Sequence, residues 1–111
     1  MPRLVPWVRN KFKAKPTEVD GHRFHSKKEA RRYQELKLQE RAGMIRRLEL
    51  QPRFPIIVKG QKVCDYIADF RYQLLENGQV IVEDTKGFKT PEYRLKKKLI
   101  QIVYGIDIQE T

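Results

Sequence analysis

A single cysteine, Cys64, stands among 111 residues. An intramolecular disulfide and a cysteine-built metal cluster are both excluded, and Cys64 reads as a small strand residue. No stretch approaches the ~20 apolar residues of a membrane helix. Met1 to Lys13 carries charge but no apolar run of signal-peptide length. The expectation is therefore a soluble, cytoplasmic protein with no membrane partner. Acid is scarce relative to base, with 24 Lys/Arg against 14 Asp/Glu and a formal net charge of +10. The imbalance is uneven. Residues 1–50 hold 14 Lys/Arg against 6 Asp/Glu, a net of +8, and residues 51–111 only +2. Such an excess favours a polyanionic partner, because each neutralised phosphate releases condensed counterions.

The length suits one domain. Residues 1–16 carry Pro2, Pro6, Pro16 and five basic residues and read as an irregular basic arm, with Trp7 as an anchor. Residues 17–111 read as a single domain. Asp20-Gly21 suits a type I′ turn, which needs positive φ at both central positions, so a short hairpin is expected there. Ser26-Lys27-Lys28-Glu29 fits a capping box, and good helix formers continue to Ala42. Ala30, Tyr33 and Leu36 fall at helical spacing, and Gly43 suits the C′ position.

From Met44 the period changes. Ile45, Leu48, Leu50, Phe54, Ile56 and Val58 read as an extended segment, with breaks at Pro52 and Pro55. Lys59 to Lys62 is a turn, Val63 to Tyr72 a strand, Asn77-Gly78 a hairpin signal and Gln79 to Thr85 the next strand. Thr90-Pro91 opens a second helix with Thr90 as N-cap. Leu95, Leu99, Ile102 and Val103 mark its apolar face. Gly105 ends it, and Ile106-Asp107-Ile108 alternates as a short last strand. The order is helix, three strands as an antiparallel meander, helix, strand: an α/β (α+β) domain behind a small hairpin.

Chemistry concentrates in Val80-Ile81-Val82-Glu83-Asp84-Thr85-Lys86-Gly87. Alternation puts Val80, Val82, Asp84 and Lys86 on one strand face, so a carboxylate and an amine follow two core residues. Glu83 points the other way and reads as solvated. On the preceding strand Asp69 sits among apolar neighbours, where an unpaired carboxylate is costly. Pairing symmetric about Asn77-Gly78 carries Asp69 toward Glu83–Lys86. Two converging carboxylates need a counter-charge, and Mg²⁺ takes one or two carboxylates plus substrate phosphate. A nearby lysine can hold a water or neutralise charge on a transferring phosphoryl group.

Asp69 followed by Asp84-Thr85-Lys86 at a strand end resembles the PD-(D/E)XK nuclease superfamily, although Ala68 rather than proline precedes Asp69. The element order resembles that superfamily's restriction-endonuclease-like αβββαβ core. Phe24-His25-Ser26-Lys27-Lys28-Glu29-Ala30 resembles the helix of several small members, whose glutamate joins the metal site. Over residues 17–108 the chain resembles a phage-encoded family of unknown function assigned to that superfamily. Phage encoding would place it in the host cytoplasm.

The resemblance implies Asp69, Asp84, the Thr85 carbonyl and Glu29 as ligands of Mg²⁺ (Mn²⁺ as substitute), and Lys86 as the residue orienting the attacking water. A capping role alone also accounts for Glu29. The implied function is a Mg²⁺-dependent endodeoxyribonuclease with no small-molecule cofactor. Similarity to small Holliday junction resolvases implies branched DNA and a homodimer. Lys27, Lys28, Arg31 and Arg32 on the first helix, with Lys89, Arg94, Lys97 and Lys98 around the second, are candidate phosphate contacts. The alternative is a non-catalytic nucleic-acid-binding module on the same fold. His22 and His25 read as surface residues, and Tyr33, Tyr93 and Tyr104 as core.

Overall fold

Residues 17–85 and 89–111 are described by a computed structural model of the chain. The expected basic arm, Trp7, Lys86 and Gly87 lie outside the described residues. The chain falls into two compact units, one ending at Leu38 and the other covering Gln39–Thr111.

In the first unit, β1 (Thr17–Val19) and β2 (His22–Phe24) form an antiparallel hairpin. Asp20 and Gly21 both have positive φ, 54° and 78°, as the type I′ turn requires. Helix α1 (Lys27–Arg41) follows. Its capping box forms at both ends: Glu29 N–H donates to Ser26 Oγ at 3.2 Å, and Glu29 Oε1 accepts from His25 N–H at 3.1 Å. The glutamate thus reaches one residue further back than the usual pattern. Ala30, Tyr33 and Leu36 are buried at the expected spacing. The Tyr33 ring packs on Phe24 with centroids 5.1 Å apart, and its hydroxyl donates to Asp20. His22 and His25 are exposed, as expected.

The second unit holds β3 (Ile45–Leu50), β4 (Arg53–Val58), β5 (Gln61–Ile67), β6 (Phe70–Leu74), β7 (Val80–Asp84), α2 (Pro91–Tyr104) and β8 (Ile108–Glu110). The extended segment 45–58 divides next to Pro52, as expected, and the segment expected as a single strand over Val63 to Tyr72 also divides in two. The first breaks at Gln51, where φ is 50°, immediately before Pro52. The second breaks at Ala68-Asp69. The breaks lie side by side: Gln51 N–H donates to the Asp69 carbonyl, and Ala68 N–H to the Pro52 carbonyl. Instead of a three-stranded meander there is a four-stranded sheet, β3-β6-β7-β8, and a separate two-stranded sheet, β4-β5. Pro55 does not interrupt β4, and Cys64 is a half-buried residue of β5. Strand β8 begins two residues later than its alternation predicts. It runs parallel to β7 after the α2 crossover, as parallel neighbours require.

Both faces of β7 are buried, so alternation along it does not sort core from solvent. One face joins Val82 to Phe54, Ile56, Tyr66, Ala68, Tyr93, Ile100 and Ile108 in one apolar cluster. The other face carries Ile81 and Glu83. Glu83 is 0% exposed, not solvated as its position predicts. The Tyr72 hydroxyl, on the neighbouring strand, donates to its carboxylate.

Helix α2 is capped as expected. Tyr93 N–H donates to Thr90 Oγ1, and Gly105 takes a left-handed conformation at φ 70°. Its buried face differs from the expected one. Tyr93 and Ile100 are buried and Leu99 packs beside them, whereas Leu95 and Ile102 are 61% and 69% exposed. The helix carries two apolar stripes, and the aromatic one meets the cluster. The hydroxyls of the tyrosines separate them: Tyr93 is satisfied inside, while the partly exposed Tyr104, expected in the core, donates to the Pro55 carbonyl at 2.6 Å. The described residues form a small α+β protein with mixed sheets and two helices.

Candidate active site

The register of β6 on β7 decides what meets at the sheet end. Phe70 pairs with Glu83 and Gln73 with Val80, closed by a four-residue turn at 75–78 in which Gly78 has φ 75°. The pairing is therefore centred one residue before the Asn77-Gly78 midpoint. Continued one step past the ladder, it sets Asp69 across from Asp84. Asp69 N–H donates to the Glu83 carbonyl at 3.0 Å, which holds the bend against β7.

Each carboxylate has donors of its own. Asp69 Oδ2 accepts from Thr85 N–H at 2.7 Å and from Thr85 Oγ1 at 2.6 Å. Asp84 is 0% exposed, and its Oδ2 accepts from the Tyr66 hydroxyl. Burial, then the hydrogen bond and charge of Asp84, raise the Tyr66 pKa far above the ordinary phenol value, and Asp69 contributes in the same sense. Both acids therefore act on one buried phenol, which stays protonated and donates. Replacing Tyr66 with Phe leaves a buried carboxylate oxygen without that donor. The expected loss is about 1–3 kcal/mol, read as a lower denaturant midpoint at unchanged slope.

The parallel register adds a third acid that periodicity did not indicate. Asp84 pairs with Glu110 on β8, so Asp69, Asp84 and Glu110 stand in a row across three neighbouring chain segments. Glu110 Oε2 accepts from the Tyr93 hydroxyl at 2.8 Å and from Lys97 Nζ at 3.1 Å, and its Oε1 lies 2.8 Å from Lys89 Nζ. Hydrogen bonds from Lys89, Tyr93 and Lys97 pull its carboxyl down to about 2. Burial, then Glu110, raise the Tyr93 phenol above its usual range, and the Tyr66 and Tyr93 rings lie with centroids 6.4 Å apart. Two tyrosine hydroxyls thus serve two of the acids, Tyr66 donating to Asp84 and Tyr93 to Glu110.

A carboxyl depressed in the folded state stabilises above its unfolded pKa and loses that contribution as pH falls. Glu110→Gln is therefore expected to lower stability at neutral pH. The difference from the parent should close between pH 4.5 and about 2, measured by urea unfolding across that range.

Of the expected site residues, Asp69, Asp84 and Thr85 come together. Thr85 serves through its N–H and hydroxyl, donating to Asp69. Lys86 lies outside the described residues. Glu29 belongs to the first unit, buried and engaged in the helix cap. Among the described residues no three His, Cys, Asp or Glu side chains are grouped as metal ligands. The adjacent Asp69 and Asp84 still form a pair of hard oxygen donors, the donor class Mg²⁺ selects, and it needs only one or two protein carboxylates. Tyr66 was missed because an aromatic on a strand reads as core; its hydroxyl becomes functional only beside Asp84. The expected phosphate contacts divide. Arg32 pairs with Glu35 at 2.9 Å, Lys89 and Lys97 hold Glu110, Lys27, Lys28 and Arg31 are exposed on α1, and Arg94 and Lys98 are exposed on α2.

The elements and their junction define a class: a small α+β domain with paired aspartates at the carboxyl end of a central strand. The chain belongs to the family described as "Protein of unknown function (DUF1064)", whose model matches residues 9–110. No curated protein and no solved structure matches the chain. Among the described residues no helix is long and apolar enough to cross a membrane.

Proposed function

We propose that the chain is a metal-dependent endonuclease hydrolysing DNA phosphodiester bonds, its sheet and helices forming a restriction-endonuclease-like core of the PD-(D/E)XK kind. The observation that carries this reading is that Asp69, bonded to the Glu83 carbonyl and to the Thr85 N–H and hydroxyl, is held beside Asp84 at the end of β7, with Lys86 two residues on in the sequence. Opposed like charges on adjacent strands destabilise, and a divalent cation offsets that cost.

Asp69 and Asp84 would hold the ion, with the Thr85 carbonyl as a further ligand in the resemblance. Bound Mg²⁺ would polarise a phosphoryl oxygen and acidify a water. The chain's own groups do the rest. Thr85 fixes the Asp69 carboxylate, and Tyr66 fixes that of Asp84. Lys86 supplies a positive charge to orient the attacking water or neutralise charge on the phosphoryl oxygens. A four-way junction cut by a homodimer is the substrate and assembly the resemblance favours.

The test is cleavage of supercoiled plasmid and of synthetic four-way junctions in Mg²⁺, Mn²⁺ or EDTA. Full cleavage by Asp84→Asn or Lys86→Ala protein rules the site out. The alternative, a non-catalytic nucleic-acid-binding module, draws on the hydrogen bonds that already occupy both aspartates, since structural acids need nothing more. It predicts binding without cleavage in any metal.

A further inference from the structure

The positive charge around α2 is not spread evenly. Lys89, Arg94, Lys97, Lys98 and Gln101 surround Glu110 in an open depression of about 370 Å³. Four cations thus face one carboxylate. Tyr93 anchors Glu110 from the buried side, so the carboxylate cannot swing away. It in turn holds the Lys89 and Lys97 ammoniums at 2.8 and 3.1 Å. An ammonium has three donors, and each lysine gives Glu110 one, leaving two apiece. Arg94 and Lys98 are one helical turn apart, exposed, and make no ion pair among the described residues. The depression therefore offers a surplus of fixed donors and a net charge of three.

The lining also limits the ligand. A nucleotide or cofactor pocket presents apolar or aromatic walls to a ring, and every side chain lining this depression is polar or charged. What it fits is an anion recognised by charge and donors alone. We infer that this depression is a subsite for one backbone phosphate of a nucleic-acid strand, in which Glu110 holds Lys89 and Lys97 in place while Arg94 and Lys98 close on the phosphate. The subsite rests on the nucleic-acid partner of the proposed function, but not on the chemistry at Asp84. Glu110 pairs with Asp84 across the parallel β7–β8 ladder, so a strand anchored there lies along the same sheet end as the candidate acids.

The experiment is fluorescence anisotropy of a labelled DNA duplex with the full chain in EDTA, titrated over a range of KCl concentrations. No metal or turnover enters. Losing one phosphate contact lowers the slope of log K against log salt by about 0.9. Arg94→Gln with Lys98→Gln is expected to show that change. At 0.1 M salt, affinity then falls about 8-fold, the value that slope change carries down from 1 M. Lys59→Asn, an exposed cation at the β4–β5 turn, should leave the slope unchanged. An unaltered slope in the double variant overturns the subsite, as does an equal drop in Lys59→Asn or no duplex binding by the parent. Loss of cleavage with this pattern intact sinks the nuclease reading and leaves the subsite standing.

Discussion

Asp84→Asn is expected to lower Mg²⁺-dependent cleavage of supercoiled plasmid by at least about 10²–10³-fold, the range seen when one preorganised electrostatic group is removed from a reacting centre. The substitution keeps the shape of the side chain and an acceptor oxygen for the Tyr66 hydroxyl. It removes the charge that a divalent cation needs. Fold and duplex affinity in EDTA should therefore be retained, and the loss should appear in turnover. A variant that cuts at the parental rate separates Asp84 from the chemistry. A variant that unfolds is resolved by Asp69→Asn, whose partners, the Thr85 N–H and hydroxyl, lie at a half-buried position. The same turnover loss is expected there, with a smaller effect on stability.

The largest effect on stability is expected from Phe70→Ala. Phe70 opens β6, is 0% exposed, and stands immediately after the bend that carries Asp69. Removing a fully buried phenylalanine side chain costs about 3–5 kcal/mol, the lost transfer energy plus the cavity left behind. A domain of this size is stable by only about 5–15 kcal/mol, so urea denaturation should show the midpoint falling by about a fifth or more. The site should suffer with the fold, because the Phe70–Glu83 pair sets the register that brings Asp69 to Asp84. A loss below about 1 kcal/mol would mean that this end of β6 is not packed as described.

The burial of Glu83 bears on the same strand. In Val80-Ile81-Val82-Glu83-Asp84 three apolar residues precede two adjacent acids, and period-two alternation, read for a half-exposed sheet, sends Glu83 to water. In the folded protein Glu83 and Asp84 are both fully buried, each taking a tyrosine hydroxyl, from Tyr72 and Tyr66 on opposite faces. Two adjacent acids on a central strand are tolerated because each has its own donor. Only Asp84 shares its face with Asp69.

Local structure was legible wherever a short-range rule sufficed. Asp20-Gly21, Ser26 with Glu29, Gly43, Thr90-Pro91 and Gly105 are turn and cap signals whose chemistry acts within four residues. Each appears where the sequence puts it. The candidate acids were also legible, because a carboxylate among apolar strand residues is costly and marks its position. What periodicity could not supply was anything that depends on a distant segment. The bend at Gln51 and Asp69 exists because the two chain segments bond to each other. The face of α2 that is buried depends on where Tyr93 finds a partner for its hydroxyl. Glu110 joins the row of acids only because β8 returns parallel to β7, a register set by the crossover rather than by Ile108-Gln109-Glu110 itself. Sequence alone thus determined the caps, the turns and the identity of the paired aspartates, since these follow from local backbone chemistry and the cost of burying charge. Tertiary structure decided the register, the tyrosines that hold the acids, and the cations gathered around Glu110, because strand pairing and burial are contacts between residues far apart in the chain.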